Sequence, residues 1–306
     1  MASFLQGVTG KISFDDAGTI LPHEHVMVDF VGADKTGPHR WNQDKVIEKM
    51  TPRLEEVKNH NVGTIFECTP MYLGRDPVLL KRLSQKTGIQ LITNAGQYKE
   101  PYLPEESFRL SPGKLADQWC TEVRNGIDGT GVLPGFIKTA VDPGPLKQIN
   151  ITVLTAAAIT SKQTGLTIAT HTGKGEALTI IDLLEKSGVP AEKWIYVHAQ
   201  NQDDPKILLE AAKRGAWIEL DGVSESSEER HFKHLQLLLD HGFKDQVLLS
   251  HDAGWYRVGE PDGGDQTPYT RLFTGFIPML IDQGIDKQVI QDIITVNPFN
   301  AYSLEG

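Results

Sequence analysis

The chain has 306 residues, 39% hydrophobic and 23% charged, with 40 acidic against 30 basic side chains and a formal net charge of -10. That length can bury a large core, and the composition is that of a globular protein. The acidic balance, with no dense run of Lys or Arg, argues against a nucleic-acid partner, because phosphate binding depends on clustered cations.

Two widely separated cysteines, Cys68 and Cys120, rule out a disulfide framework or a Cys-rich zinc ribbon. The opening stretch MASFLQGVTGKISFDDAG has no basic region followed by an apolar segment, so no secretory signal is expected. No apolar run reaches the roughly 18 residues of a membrane span, and a cytoplasmic location is the default expectation.

The first apolar run, GTILPHEHVMV, places His23, Glu24 and His25 inside a strand. Side chains alternate along a strand, so the two imidazoles share one face and Glu24 takes the other. Such a pair suits either a strand end at the surface or two ligands to one ion. The pattern QDKVIEKMTPRLEEVKNH follows, with Val46, Ile47, Met50, Leu54 and Val57 spaced for one helix face. GTIFECTP, the helical DPVLLKRLSQKTG, GIQLITNAG, PGFIKTA with Lys138, and GLTIATHTG with His171 come next. The helical EALTIIDLLEKSG, WIYVHAQ with His198, the helical DPKILLEAAKRG, AWIELDG, the helical EERHFKHLQLLLDHG and QVLLSHDAG with Asp252 complete the series. Several helical stretches end in Gly, a common C-terminal stop. Those at Asp76 and Asp204 open with Asp-Pro, a cap followed by proline at the first helical position.

Most of the strand-like runs are nearly continuous apolar segments, as in strands covered on both faces. Alternation with helices predicts a parallel sheet. Eight strands are the number that closes a (β/α)8 TIM barrel, with its active site at the C-terminal ends of the strands. A doubly wound open sheet would carry a Gly-rich dinucleotide turn after the first strand, and none is present. No linker breaks the alternation, so one domain is expected over residues 1–306.

Polar residues of metal-ligand type stand at the strand ends: His23, His25, Lys138, His171, His198 and Asp252. A lone buried His is usually a hydrogen-bonded core residue, but all of these converge on one rim, which favours a metal. Lys138 is either a lysine snorkelling to solvent or a buried amine whose pKa falls until it reacts with CO2. The resulting carbamate has two oxygens and could bridge two ions. Four histidines and an aspartate beside it favour the carbamate.

His-x-His on the first strand, Lys on the fourth, His on the fifth and sixth and Asp on the eighth resemble the amidohydrolase superfamily. The pattern is most similar to the phosphotriesterase family, including the phosphotriesterase-like lactonases, and the similarity runs through the tail FIPMLIDQGIDKQVIQDIITVNPFNAYS. The resemblance implies two divalent metal ions, zinc first, with manganese or cobalt as substitutes. His23, His25, Lys138 and Asp252 would hold the more buried ion. Lys138, as N6-carboxylysine, would bridge to the second, held by His171 and His198. It implies a hydrolase that opens lactones or related carboxylic esters by attack of a metal-bridging hydroxide, with Asp252 and Lys138 as catalytic residues and Asp252 accepting the proton. The alternatives are a phosphotriesterase, a sugar-phosphate lactonase or phosphodiesterase, and a non-catalytic binding protein on the same barrel. The partner is then a small molecule, not a nucleic acid or a membrane, and a homodimer is compatible with the pattern.

Substrate contacts have weaker signals. Tyr98, after ITNAGQ, matches the position of a lactonase tyrosine. The resemblance places a relay histidine where this chain has Gly222 and a relay aspartate where it has Asn201, which weighs against efficient phosphotriester hydrolysis. HTGKGEA lacks Walker spacing, but Lys174 within it, and Arg257, are candidates to hold an anionic group. Trp255 and Tyr256, in HDAGWYRVGEPDGGDQTPYT, are expected to line the pocket as part of a long loop. His251 is the fallback base if Asp252 does not serve.

Overall fold

A computed structural model describes residues 2–306. An antiparallel hairpin, β1 (Leu5–Gly7) with β2 (Gly10–Ile12), and the short α1 (Phe14–Ala17) precede the strands read from the sequence. Those strands are β3 (Thr19–Val28), β4 (Val62–Glu67), β5 (Gln90–Ile92) with its continuation β6 (Asn94–Ala95), β7 (Phe136–Ala140), β8 (Ile168–His171), β9 (Trp194–Val197), β10 (Trp217–Leu220) and β11 (Val247–Leu249). Neighbouring strands pair in parallel, β3 with β4, β4 with β5, and β6 through β11 in order.

Two irregular points remain, and backbone hydrogen bonds span both. Between β5 and β6, Thr93 O accepts from Gly135 N–H at 2.8 Å. Beyond β11, Asp252 N–H donates to His23 O at 3.0 Å and His25 N–H to Ala253 O at 2.8 Å. The chain then enters β12 (Gly254–Arg257), parallel to β3. The eighth strand therefore returns to the first, and the ring is that of a (β/α)8 barrel. The stretch after Asp252, expected to be a loop throughout, contributes this strand because Gly254 has no side chain. A Cβ there would stand 1.8 Å from His25 O.

Helices α2 (Gln43–Glu56), α3 (Pro77–Thr87), α4 (Pro112–Asn125), α5 (Gln148–Thr164), α6 (Ala177–Lys186), α7 (Pro205–Lys213) and α8 (Glu228–Asp240) alternate with the strands, and α9 (Ile277–Asp282), α10 (Lys287–Ile294) and α11 (Val296–Tyr302) end the chain. The Asp-Pro caps form as expected: Asp76 accepts from Leu79 N–H and Asp204 from Lys206 N–H, both at 2.9 Å. Each such cap contributes about 1 kcal/mol. No helix among the described residues is long and apolar enough to cross a membrane.

One apolar layer inside the barrel comprises Ile20, Phe66, Ile92, Phe136, Ala169, Ile195 and Leu248, all fully buried. The Tyr302 ring of α11 stacks on Phe66 at 4.0 Å. Burying each larger member contributes about 1.5–3 kcal/mol. The period of two then fixes what comes next on each strand. Two residues beyond Phe136, Ala169 and Leu248 stand Lys138, His171 and Ser250, so the polar layer lies directly above the apolar one.

Candidate metal centre

A register shift on β3 between Leu21 and Glu24 sets the phase of the His-x-His segment. His23 and His25 turn inward, with ring centroids 5.5 Å apart, and Glu24 turns outward. Glu24 is fully buried and accepts from Ser250 Oγ (2.8 Å), His251 N–H (3.0 Å), Ala253 N–H (2.8 Å) and His251 Nδ1–H (2.7 Å). Desolvating a carboxylate costs several kcal/mol, and four bonds to a charged acceptor, each of about 1.5–3 kcal/mol, offset it. The result clamps the residues on both sides of Asp252. His251 Nε2 accepts from Leu272 N–H at 2.8 Å. Its ring is thus committed between Glu24 and Leu272, away from the other histidines, and the fallback role as a base has no geometric support.

The remaining ligand-type residues converge. His25 Nε2 lies 3.1 Å from Asp252 Oδ1, and His23 Nε2 lies 3.7 Å from the same oxygen. Lys138 is 1% exposed, with Nζ 3.4 Å from His23 Nε2. His198 Nε2 and His171 Nδ1 are 2.7 Å apart, and the Tyr98 hydroxyl is 2.9 Å from His171 Nδ1. His198 reaches this cluster against strand alternation. Val197, before it, already faces the interior. His198 adopts φ 60°, which swings its ring inward, and Asp252 adopts φ 53°. Left-handed backbone at non-glycine residues costs on the order of 1–3 kcal/mol and clusters at functional sites. A hydrogen bond from His198 N–H to Asp221 Oδ2, 2.9 Å, helps to hold the first of these turns.

Behind the imidazoles stand acceptors that fix their tautomers. His23 Nδ1–H donates to Glu219 Oε1 at 2.5 Å, and His198 Nδ1–H donates to Asp221. The Thr69 hydroxyl donates to Met27 O at 3.0 Å, so it accepts from His25 Nδ1–H at 2.8 Å. The Nε2 lone pairs of these three rings therefore face the cluster. Burial, with the nearby Lys138 charge, lowers His23 to about 3; burial also lowers His25, and lowers His171 well below the ordinary value, with the His198 charge adding. Burial opposes the charge on His198, but the Asp221 carboxylate outweighs it and raises that ring. Burial would raise Asp252, yet the contact with His25 and the other nearby imidazoles hold it below the usual carboxylate range.

Neutral His23, His25 and His171 offer the lone pairs that a divalent ion requires, and His198 would give up the proton that Asp221 favours when an ion binds at its Nε2. His25 Nε2 and Asp252 Oδ1 are two acceptors facing each other, and Asp252 Oδ1 has no hydrogen-bond donor among the described residues. Bonds of about 2.0–2.2 Å around one zinc place ligand atoms roughly 3–3.5 Å apart. The donor set fits one cation among His23, His25 and Asp252, whose ligand atoms share a site, and a second beside His171 and His198. His23, His198 and Asp221 also converge, but through nitrogens already used as hydrogen-bond donors, so they form the support behind the cluster.

Glu219 and Asp221 were missed in the sequence, although AWIELDG carries them two residues apart on one strand face. At the rim, the Trp255 ring stacks on His25 at 4.0 Å, Phe30 lies 5.9 Å from Trp255, and Tyr102 lies 5.9 Å from Phe30. Tyr256 does not join them. It alternates to the other face, beneath Gly263 and beside Arg40 and Trp41. Lys174 pairs with Asp203 at 2.7 Å, both exposed, and Arg257 donates to Asp265 O. The structure brings neither cation to the cluster. Gly222 is bare at φ 71°, beside Gln200, and Asn201 ends a short turn at Ala199–Asn201. Lys99, unremarked in the sequence, places Nζ 3.4 Å from His171 Nε2.

The sequence profile of the Phosphotriesterase family matches residues 3–302. The chain belongs to the phosphotriesterase family. It is 29% identical to an aryldialkylphosphatase of Saccharolobus solfataricus, across 97% of this chain and 99% of that one. It is 28% identical to an N-acetyltaurine hydrolase of Xenopus tropicalis, across 96% of each. A variant of a PTE-like lactonase from Deinococcus radiodurans superposes with a TM-score of 0.87 at 26% identity, over 97% of this chain and 99% of that one. Membership in the phosphotriesterase family makes the chain a hydrolase on the barrel described above. The relatives' names span phosphoester, amide and lactone bonds, so the family alone does not name the bond cleaved.

Proposed function

We propose that this hydrolase opens lactones or related carboxylic esters at a centre of two divalent ions. The observation that carries the metal reading is the set of inward lone pairs: His23, His25 and His198 turn Nε2 to the cluster while their Nδ1 atoms are held from behind. His23, His25 and Asp252 would hold one ion, His171 and His198 the other, and Lys138, as the carbamate N6-carboxylysine, would span both. When bound, such ions polarise the substrate carbonyl and bring the pKa of a water between them towards neutrality.

The protein's own groups supply the rest. The Asp252 side chain is 25% exposed, whereas that of His23 is 2% exposed. Asp252 is therefore a ligand-type residue open to the cleft, as the partly buried His171 also is, and its carboxylate is placed to take a proton from an attacking water and release it to solvent. Glu24 fixes Asp252 in that position through its bonds to both chain neighbours. Burial pushes the Tyr98 hydroxyl well above its ordinary value, so it stays protonated. It can then donate a hydrogen bond to a substrate oxygen beside His171. Trp255 and Phe30 offer an apolar wall for the ring of the substrate.

Tyr98 beside the cluster and the bare Gly222 support carbon esters over phosphotriesters. The test is kcat/KM on a panel of lactones, phosphorylated sugar lactones included, against an aryl dialkyl phosphate. The expected result is a lactone preferred by more than about tenfold. A triester preferred by about tenfold, ~1.4 kcal/mol of transition-state stabilisation, would reverse the reading.

A further inference from the structure

Lys99 follows Tyr98 directly, on the loop after β6. Its Nζ lies 3.4 Å from His171 Nε2, 3.4 Å from Val141 O and 3.3 Å from Asp142 Oδ1. The side chain is 17% exposed. The ammonium thus sits at the inner lip of the cleft, between the histidine cluster and solvent. All three contacts exceed the roughly 2.7–2.9 Å of a well-made charged hydrogen bond, so its three donors are poorly used. Asp142 does not depend on Lys99. Lys147 Nζ reaches Asp142 at 3.3 Å and Glu100 at 3.0 Å. Exposed pairs of this kind are screened by solvent and are easily rearranged. An incoming anion can draw Lys99 away while Asp142 keeps a counter-charge.

The aromatic wall lies along the same cleft. Trp255 covers His25, and Phe30, 50% exposed, extends that surface outward. These rings suit an apolar face and no charge. We propose that Lys99 selects substrates that carry an anionic substituent, a phosphate, sulfonate or carboxylate, away from the bond being cleaved. This rests on the hydrolase reading of the cleft. The reacting bond lies over the histidine cluster, the apolar face lies along Trp255 and Phe30, and the anion meets the ammonium. The role first sought in Lys174 and Arg257 passes to a residue that faces the cluster.

The experiment compares metal-loaded wild type, Lys99→Met and Lys99→Arg on matched neutral and anionic pairs. One series is lactones and another is acyl amides, with phosphorylated, sulfonated and carboxylated members as separate arms. Wild type should favour the anionic member in at least one arm. Lys99→Met should cut that ratio by about tenfold or more, the scale of one hydrogen bond to a charged group, and Lys99→Arg should restore most of it. Equal losses on both members of a pair, or no preference in any wild-type arm, would overturn the proposal. Inert lactones with a Lys99-dependent preference among amides would remove the lactone reading and leave this one standing. Lactones opened without regard to charge would do the reverse. Calorimetric binding of the same pairs reads the ratio if neither bond is cleaved, and equal affinities there would also overturn the proposal.

Discussion

Glu219, which touches no solvent, orients His23, a candidate metal ligand. Its Oε1 holds His23 Nδ1–H at 2.5 Å, and its other oxygen has no partner among the described residues. Burial, with the Asp221 charge beside it, pushes this carboxyl well above its ordinary value. Removing it leaves the His23 tautomer and ring angle unsupported. Glu219→Ala is expected to weaken zinc affinity about 10–100-fold, the usual cost of losing such a partner, and Glu219→Gln, which keeps an acceptor, should recover most of it. Chelator competition measures both, and an unchanged affinity in Glu219→Ala would contradict the role. His23 and His25 were legible because two imidazoles at a period of two are conspicuous. Glu219 and Asp221 obey the same period and escaped notice because they lie beneath the rim. The inward turn of His198 was not legible from alternation, since it depends on a positive φ. Lys99 was not legible because a loop lysine has no pattern.

At the scale of elements, the strands were readable as apolar runs and their number pointed to a closed barrel, but the segment that completes the contact between the last strand and the first was not readable. Closure depends on β12, whose four residues carry two aromatics and a glycine and look like loop. Gly254 makes it possible: φ is 97°, and a Cβ would also come within 2.2 Å of the Tyr269 hydroxyl oxygen, itself bonded to His25 O. Gly254→Ala should therefore move β12 off β3 and shift Trp255 and His25 with it. The expected loss of stability exceeds about 2 kcal/mol, from a positive φ and a backbone clash together. Denaturant unfolding measures it, and a loss under about 0.5 kcal/mol, the scale of an ordinary surface change, would contradict the account. Helices α4 and α5 were also absent from the sequence reading. In α5, Ala156, Ala157 and Ala158 are consecutive and all buried, so no polar stripe marks an outer face. The start of α4 is set by Ser111, whose Oγ accepts from Lys114 N–H, with Pro112 next to it, a signal the sequence reading passed over.

For the whole molecule, the barrel places an apolar layer beneath and ligand-type residues above, so one alternation sets both the fold and much of the candidate centre, with His198 added by its positive φ. Lys138 joins the two, fully buried two residues beyond Phe136. An ammonium there would repel the cations that its neighbours are arranged to bind. The central claim is therefore that this barrel holds two divalent ions on six side chains, with Lys138 in the form of a carbamate. Elemental analysis of wild type and Lys138→Ala, both prepared with zinc and bicarbonate, tests it most directly. About two ions per wild-type chain are expected, as in two-metal hydrolytic sites, with fewer in Lys138→Ala and partial recovery when a short carboxylic acid is added. Full hydrolytic activity in a metal-free chain, or unchanged metal content in Lys138→Ala, would contradict it.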